Sequence, residues 1–367
     1  MIKRLKVEGL NEKINLDLTF NSDLNILTGK NGSGKTTLLK LIWYSISGNI
    51  ERIIREISFD SILVELDGVT ITVFKITEEI DERRTSINYN FSIHTESETI
   101  LETLNHNEVD SPHSLDTVNS AIASATGSSL FFPTFRRVEG GIVVSEYESR
   151  YMNGTSLEQS MYHLANRISV FDHKFVSSIS TNDIISLITE RYANASESTN
   201  QLHNYLSNSI TKMIRDYKER NDENSISNSD SVLQAIESRV DDVSLESELL
   251  LKPFSLLSEI VNQVFKKPIQ ITKNIILGEG KNAILSDKLS AGEKQMLSFF
   301  CYNAFYKKSP IFIDEPELSL HTDWQRTLFP NLLKQDTGNQ FIIATHSPFI
   351  YSKYPDKELS LNSDRGE

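Results

Sequence analysis

The sequence predicts an α/β protein whose core is split in two, with an antiparallel β-layer and a helical insertion between the halves. Three observations carry this. Short apolar runs bounded by glycine or acidic residues stand near both ends, at 24–28, 308–314 and 341–345. Between residues 61 and 94 apolar and polar residues alternate, the period of a half-buried sheet. From about 156 to 267 the apolar spacing becomes helical. The boundaries that follow are 1–155 for the N-terminal half of the core with its β-layer, 156–281 for the insertion and 282–367 for the C-terminal half.

In order along the chain, strands are expected at 5–9, 14–20 and 24–28, the last running straight into glycine. A helix follows over 35–47, with Leu38, Leu39, Leu41, Ile42 and Ile46 at helical spacing and Gly48 at its end. Asp67-Gly68 between alternating runs is a two-residue hairpin signal, and 86–94 continues the alternation. In the insertion, Leu202, Leu206, Ile210, Met213, Ile214 and Tyr217 mark one helical face. A second face, with Leu249, Leu256, Leu257, Ile260, Val261, Val264 and Phe265, extends past Pro253. The polar stretch 219–230 reads as an exposed linker between them, and the heptads read as too irregular for an extended coiled-coil arm.

Composition bounds the function. At 38% hydrophobic and 24% charged residues over 367 positions, the chain is of globular type, and no apolar run approaches the roughly 18 residues that span a bilayer. No signal peptide is recognisable, so the expectation is a cytoplasmic protein without a membrane partner. The single cysteine, Cys301, sits in an apolar stretch and reads as a core thiol. A net charge of −13 opposes loose attachment to nucleic acid, although a local basic patch would escape that sum.

The chemistry is concentrated in four motifs. Segment 29–36, Gly-Lys-Asn-Gly-Ser-Gly-Lys-Thr, fits GxxxxGK[ST] in a strand–loop–helix context. Glycines there let backbone N–H groups curl around phosphate, and the helix N-terminus adds partial positive charge. Lys35 is expected on the β- and γ-phosphates of ATP and the Thr36 hydroxyl on Mg²⁺, with Asn31, Gly32, Ser33, Gly34 and Thr37 completing the nucleotide site. An apolar strand ends in Asp314-Glu315: Asp314 is assigned to the metal and Glu315 to polarising the attacking water, unless the acidic end is merely solvated. Leu289-Ser290-Ala291-Gly292-Glu293 precedes a helix and would by itself read as an N-cap. Ala344-Thr345-His346-Ser347-Pro348 follows the last apolar strand.

Taken together in this order, the motifs resemble those of the ABC ATPase superfamily. The resemblance implies that Ser290 and Gly292 grip the γ-phosphate bound by an opposite subunit, that two copies sandwich ATP as a homodimer, alone or within a higher oligomer, and that His346 senses the γ-phosphate. Asp314-Glu315-Pro316-Glu317-Leu318-Ser319-Leu320-His321 is similar to the branch containing RecF, the SMC-like repair ATPases and the overcoming-lysogenization-defect ATPases of antiphage systems. His321 stands where many relatives carry aspartate, which puts a signalling role of that loop in doubt. Segment 131–141 resembles the Pro-Thr-aromatic-Arg-Arg stretch of the defence ATPases, so Arg136 or Arg137 would reach phosphate or a partner's carboxylate, unless they are surface arginines at a strand end. No glutamine occupies a recognisable Q-loop position.

The expected function is an ATPase that dimerises around ATP and regulates a separate effector, a nuclease or toxin, in antiphage defence. The short polar tail after the histidine motif offers no room for the nuclease domain of the overcoming-lysogenization-defect enzymes. Two rivals stand beside it: a DNA-repair or DNA-clamping ATPase of the RecF or SMC kind, and a nucleotide-gated scaffold that hardly hydrolyses.

Overall fold

A computed structural model describes residues 1–81, 84–96, 98–105, 115–134, 165–176, 181–220, 226–265, 269–271, 275–277, 284–285 and 289–361. The chain forms two compact units, one made of Met1–Ser178 with Tyr306–Glu367 and the other of Ile179–Phe305. The expected boundaries at 155/156 and 281/282 lie outside the described residues, as do Arg136 and Arg137.

The first unit begins with β1 (Ile2–Leu10), β2 (Ile14–Thr19), β3 (Leu24–Thr28), α1 (Lys35–Ile46) and α2 (Ile50–Glu56). Then come β4 (Ser61–Leu66), β5 (Val69–Asp81), β6 (Arg84–Thr95), β7 (Thr99–Asn105), α3 (Asp116–Thr126), β8 (Ser129–Phe132) and β9 (His173–Phe175). The second unit holds α4 (Thr181–Arg220), α5 (Ile226–Phe265), the short strands β10 (Ile269–Ile271), β11 (Ile275–Leu277) and β12 (Ile284–Leu285), and α6 (Ala291–Phe305). The chain returns to the first unit with β13 (Pro310–Asp314), α7 (Thr322–Lys334), β14 (Gln340–Ala344), α8 (Pro348–Tyr351) and β15 (Glu358–Ser360).

Two six-stranded sheets build the first unit. One is antiparallel in the order β2-β1-β4-β5-β6-β7. Its β4 alternates buried and half-buried residues, as the sequence alternation predicts, and Asp67-Gly68 turns it into β5 with Gly68 at φ 71°. The other sheet is parallel throughout, in the order β15-β3-β14-β13-β8-β9. Strands β3, β14, β13 and β8 are buried at every residue, which is why they read as continuous apolar runs.

Helix α1 joins the sheets. Its Leu38, Leu39, Leu41, Ile42, Trp43 and Ile46 share one buried cluster with Leu5 and Val7 of β1, Ile71 of β5, Phe312 of β13 and Ile342 of β14. Trp43 lies with its ring centre 5.4 Å from Phe131 and 5.7 Å from Phe175, and its indole N–H donates to Ser129 Oγ at 3.0 Å. Ser129 in turn bonds His173 Nδ1 at 2.7 Å, while Nε2 faces Thr126 Oγ1 at 3.1 Å and the Ala123 carbonyl at 3.3 Å. This network suits a neutral imidazole carrying its proton on Nε2, and burial pushes the His173 pKa down to about 4. A further tie is Gln340, wholly buried. Its Oε1 accepts from the Ile2 N–H at 2.8 Å and its Nε2 donates to the carbonyls of Ile2 and Asn21, both at 2.8 Å, so one amide fastens β14 to β1.

In the second unit, the expectation of no extended helical arm is corrected. Helices α4 and α5 are 40 residues each, about 60 Å at 1.5 Å per residue, and pair with one another. On α5 the more buried positions Val232, Ile236, Arg239, Val243, Ser247 and Leu250 recur every three or four residues. The seam is regular, but arginine and serine occupy some of its positions, so apolar periodicity alone missed it. The expected linker 219–230 is also shortened, because α5 already starts at Ile226. Cys301 is buried in α6, as expected. Among the described residues no helix is long and apolar enough to cross a membrane.

Two outcomes follow from this packing. Replacing Gln340 by leucine, similar in size, should lower the unfolding free energy by about 2–4 kcal/mol in urea titrations, because three hydrogen bonds lose their partner in the interior. Since His173 stays neutral in the fold to a pH of about 4 whereas an unfolded histidine protonates near 6.5, the unfolded chain binds more protons between these values. Stability should therefore fall as pH drops from 6.5 towards 4.5, by up to about 1.4 kcal/mol per pH unit from this group. Urea titrations across that window should show a shallower slope in His173→Gln.

Candidate functional site

Parallel pairing brings the carboxyl ends of four neighbouring strands to one edge of the sheet. Asp314 pairs with Ala344, Ala344 with Leu27, and Ile313 with Phe132, so the residues that follow each strand share a single rim. Such a rim is where open parallel sheets bind ligands.

From β3 the chain enters the loop 29–34. Gly29, Gly32 and Gly34 have φ values of 147°, 80° and 90°, a region that L side chains rarely enter. At Gly29 a Cβ would also lie 2.8 Å from Ser33 Oγ. Helix α1 then starts without a side-chain cap on Gly34 and without an acidic residue in its first turn. Its N-terminal amides thus stand ready for an anion supplied from outside. Ser33 Oγ is buried and has no hydrogen-bond partner among the described residues, an orphan that a phosphate oxygen would satisfy.

Lys35 is 6% exposed, and its Nζ donates to the carbonyl oxygens of Gly29 at 2.8 Å and Lys30 at 3.1 Å. Burial pulls its pKa below the usual lysine value, opposed by the nearby charges of Glu315, Asp314 and Glu317. Next to it, the Thr36 hydroxyl lies 3.0 and 2.9 Å from the two carboxylate oxygens of Asp314, which is 1% exposed. Thr134, two residues beyond β8, also donates to Asp314 Oδ2. Hydroxyl and carboxylate oxygens are the donors a hard divalent cation takes, so Thr36 and Asp314 fit Mg²⁺.

Glu315 follows at φ 51°, a left-handed conformation that costs a residue other than glycine about 1 kcal/mol or more. Its N–H is held by the Ala344 carbonyl at 2.8 Å. Burial foremost, then Asp314 and Glu317, raise the Glu315 pKa, while His346 and Lys35 oppose the rise. That direction suits a group meant to accept a proton. Across the rim, half-buried His346 follows Thr345 at the end of β14. Its backbone N–H donates to Glu317 Oε1 at 2.7 Å, and the Thr345 hydroxyl donates to Glu317 Oε2 at 2.8 Å.

The structure thus gathers Lys35, Thr36, Asp314, Glu315 and His346, together with Asn31, Gly32, Ser33, Gly34 and Thr37 of the loop and first helical turn, along one rim of one unit. Ser290 and Gly292 belong to the other unit. There the Ser290 N–H donates to Glu293 Oε2 at 2.8 Å and the Glu293 N–H to Ser290 Oγ at 3.3 Å, a reciprocal cap on α6. His321 caps α7, its Nδ1 accepting from the Asp323 N–H at 3.4 Å, and is exposed.

Sequence reasoning gave no role to Thr134, Glu317 or Gln325. Thr134 lies in the segment 131–141, where the arginines carry the recognisable signal. Its partner is 180 residues away.

A family model described as AAA domain, putative AbiEii toxin, Type IV TA system, matches residues 24–352, well over half of the chain. The Septu protein PtuA of Bacillus thuringiensis is 41% identical over 61 residues, 16% of this chain and 15% of that protein. Endonuclease GajA of Bacillus cereus strain VD045 is 40% identical over 63 residues, 16% of this chain and 11% of that protein. The chain therefore matches only a small part of either relative's length. Among solved structures, an Smc head bound to the C-winged helix domain of ScpA covers 96% of this chain and 91% of its own, at 12% identity and a TM-score of 0.43. The SMC head domain from Thermotoga maritima has the same coverage at 12% identity and a TM-score of 0.39.

If the rim binds nucleotide, Mg²⁺-ATP at 100 times its dissociation constant should stabilise the fold by about 2.7 kcal/mol, read as a rise in melting temperature. Lys35→Ala should lose most of that rise. An equal rise in both proteins would place ATP elsewhere.

Proposed function

The chain belongs to the AAA domain family described as putative AbiEii toxin, Type IV TA system, and from that premise we propose that it is an ABC-type ATPase that binds ATP with Mg²⁺, dimerises around it and governs a separate effector in antiphage defence. The observation that carries this is the meeting of Lys35, Thr36, Asp314 and Glu315 at the carboxyl ends of β3 and β13.

In this reading the amides of 32–36 and the Lys35 ammonium hold the β- and γ-phosphates, the ammonium exchanging its bonds to the Gly29 and Lys30 carbonyls for phosphate oxygens. Mg²⁺, where Thr36 and Asp314 hold it, supplies neutralisation of phosphate charge. Glu315 accepts a proton from the attacking water, and the His346 side chain donates a hydrogen bond to the γ-phosphate. The reciprocal cap uses the Ser290 N–H and lets its hydroxyl only accept, so the Ser290 O–H, together with Gly292, is proposed to grip the γ-phosphate on a second copy. One matched relative is named an endonuclease, and this supports a nuclease as the class of effector in this reading.

A second reading gains from the helices α4 and α5. The pairing of these two 40-residue helices removes one objection to a DNA-clamping ATPase, while the net charge of −13 still weighs against it. That reading expects ATP-dependent DNA binding that weakens steeply with salt.

Comparison of wild type with Glu315→Gln tests the main proposal. Phosphate release should fall on the order of 10²-fold or more, and light scattering should show an ATP-dependent dimer accumulating in the variant. A variant that stays monomeric with bound ATP would remove the sandwich. Unchanged and negligible release in both proteins would leave a scaffold that does not turn over.

A further inference from the structure

The loop after β13 and the loop after β14 are bound to each other more firmly than the proposed chemistry requires. The Glu317 carboxylate takes the Thr345 hydroxyl on one oxygen at 2.8 Å and the His346 backbone N–H on the other at 2.7 Å. The Thr345 hydroxyl also accepts from the Ser347 N–H at 3.0 Å. From α7, Gln325 Oε1 accepts from the Ser347 hydroxyl at 2.6 Å, while its Nε2 donates to the Leu320 carbonyl at 2.8 Å and the Glu317 carbonyl at 3.4 Å. Three consecutive residues, 345–347, are therefore gripped by two side chains, Glu317 of the loop that begins with Glu315 and Gln325 of α7.

We propose that Glu317, backed by Gln325, is the positioning residue that sets His346 relative to Glu315. The inference rests on the hydrolytic reading above and gives it a missing part. A carboxylate is suited to this place because it accepts two hydrogen bonds at once, and a charged acceptor strengthens each. Thr345 is 1% exposed and Ser347 6%, so water competes little for these bonds. With Glu315 fixed in a left-handed conformation by the Ala344 carbonyl, the two loops form one closed set of hydrogen bonds. A shift of either loop would then move both Glu315 and His346.

A glutamine in place of Glu317 keeps the shape and can accept the His346 N–H, but it presents an uncharged oxygen and only one accepting atom. Alanine removes both bonds. In protein labelled with ¹⁵N-histidine, the His346 amide, identified by its loss in His346→Gln, should resonate downfield of most other histidine amides. It should move upfield in Glu317→Gln and further in Glu317→Ala. In steady-state assays kcat should fall on the order of 10²-fold in Glu317→Ala and less in Glu317→Gln, with KM for ATP within about threefold of wild type, since Lys35 and the amides of 32–36, the main grip on the phosphates, are untouched. Urea titrations of the same proteins separate a positioning effect from unfolding.

An amide that does not move in either variant overturns the proposal, as does a kcat equal to wild type in Glu317→Ala. So does a loss confined to KM. If wild type itself releases no phosphate, the hydrolytic reading fails alone. The positioning is then read from the response of the His346 amide to Mg²⁺ with a slowly hydrolysed ATP analogue. Loss of that response in Glu317→Ala supports the proposal, and its persistence overturns it.

Discussion

The parallel register of β3, β14, β13 and β8 is the constraint on which the candidate site depends. Because the strands run the same way and pair Leu27 with Ala344 and Ala344 with Asp314, the glycine loop, the histidine segment and the acidic pair leave the sheet at one height. A slip of β13 by one residue would turn the side chain of Asp314 to the other face and break its bonds with Thr36 and Thr134. Polar groups inside the strands help to hold that register, as where Asn25 of β3 donates to the Phe341 carbonyl of β14 at 3.3 Å, a bond that a slip would break.

The second sheet does not carry the site, yet it steadies the helix that does. Helix α1 presents its apolar residues to both layers, and polar bonds tie the layers further: Gln340 to Ile2 and Asn21, and Trp43 through Ser129 to His173. Each buried amide or imidazole would be costly without its partners, so these groups fix relative position as much as they stabilise it. The first turn of α1, with Lys35 and Thr36, inherits that fixity.

Electrostatics at the rim is a balance of crowded charges. Asp314, Glu315 and Glu317 stand within four consecutive positions of the chain, and the charges of the first and last help to raise the proton affinity of Glu315. Lys35 is the cation set against them, itself disfavoured by burial. Hydrogen bonds relieve the crowding: Asp314 takes threonine hydroxyls, and Glu317 takes a hydroxyl and an amide. Glu315, between them, stands in the arrangement proposed for accepting a proton.

The sequence by itself determined whatever rests on neighbours in the chain. The glycine loop and helix α1, the Asp67-Gly68 hairpin, and the apolar strands observed at Leu24–Thr28, Pro310–Asp314 and Gln340–Ala344 follow from local spacing, since such loops and turns are formed by successive backbone groups. Tertiary structure decided the rest. The edge strand β15, with Glu358 accepting from the Thr28 hydroxyl at 2.6 Å, lies in a tail that reads as merely polar. The pairing of α4 with α5 was hidden because arginine and serine share its seam. Thr134 on Asp314 and Glu317 on His346 join residues 180 and 29 positions apart, and no spacing rule sees a hydrogen bond made only when strands pair side by side.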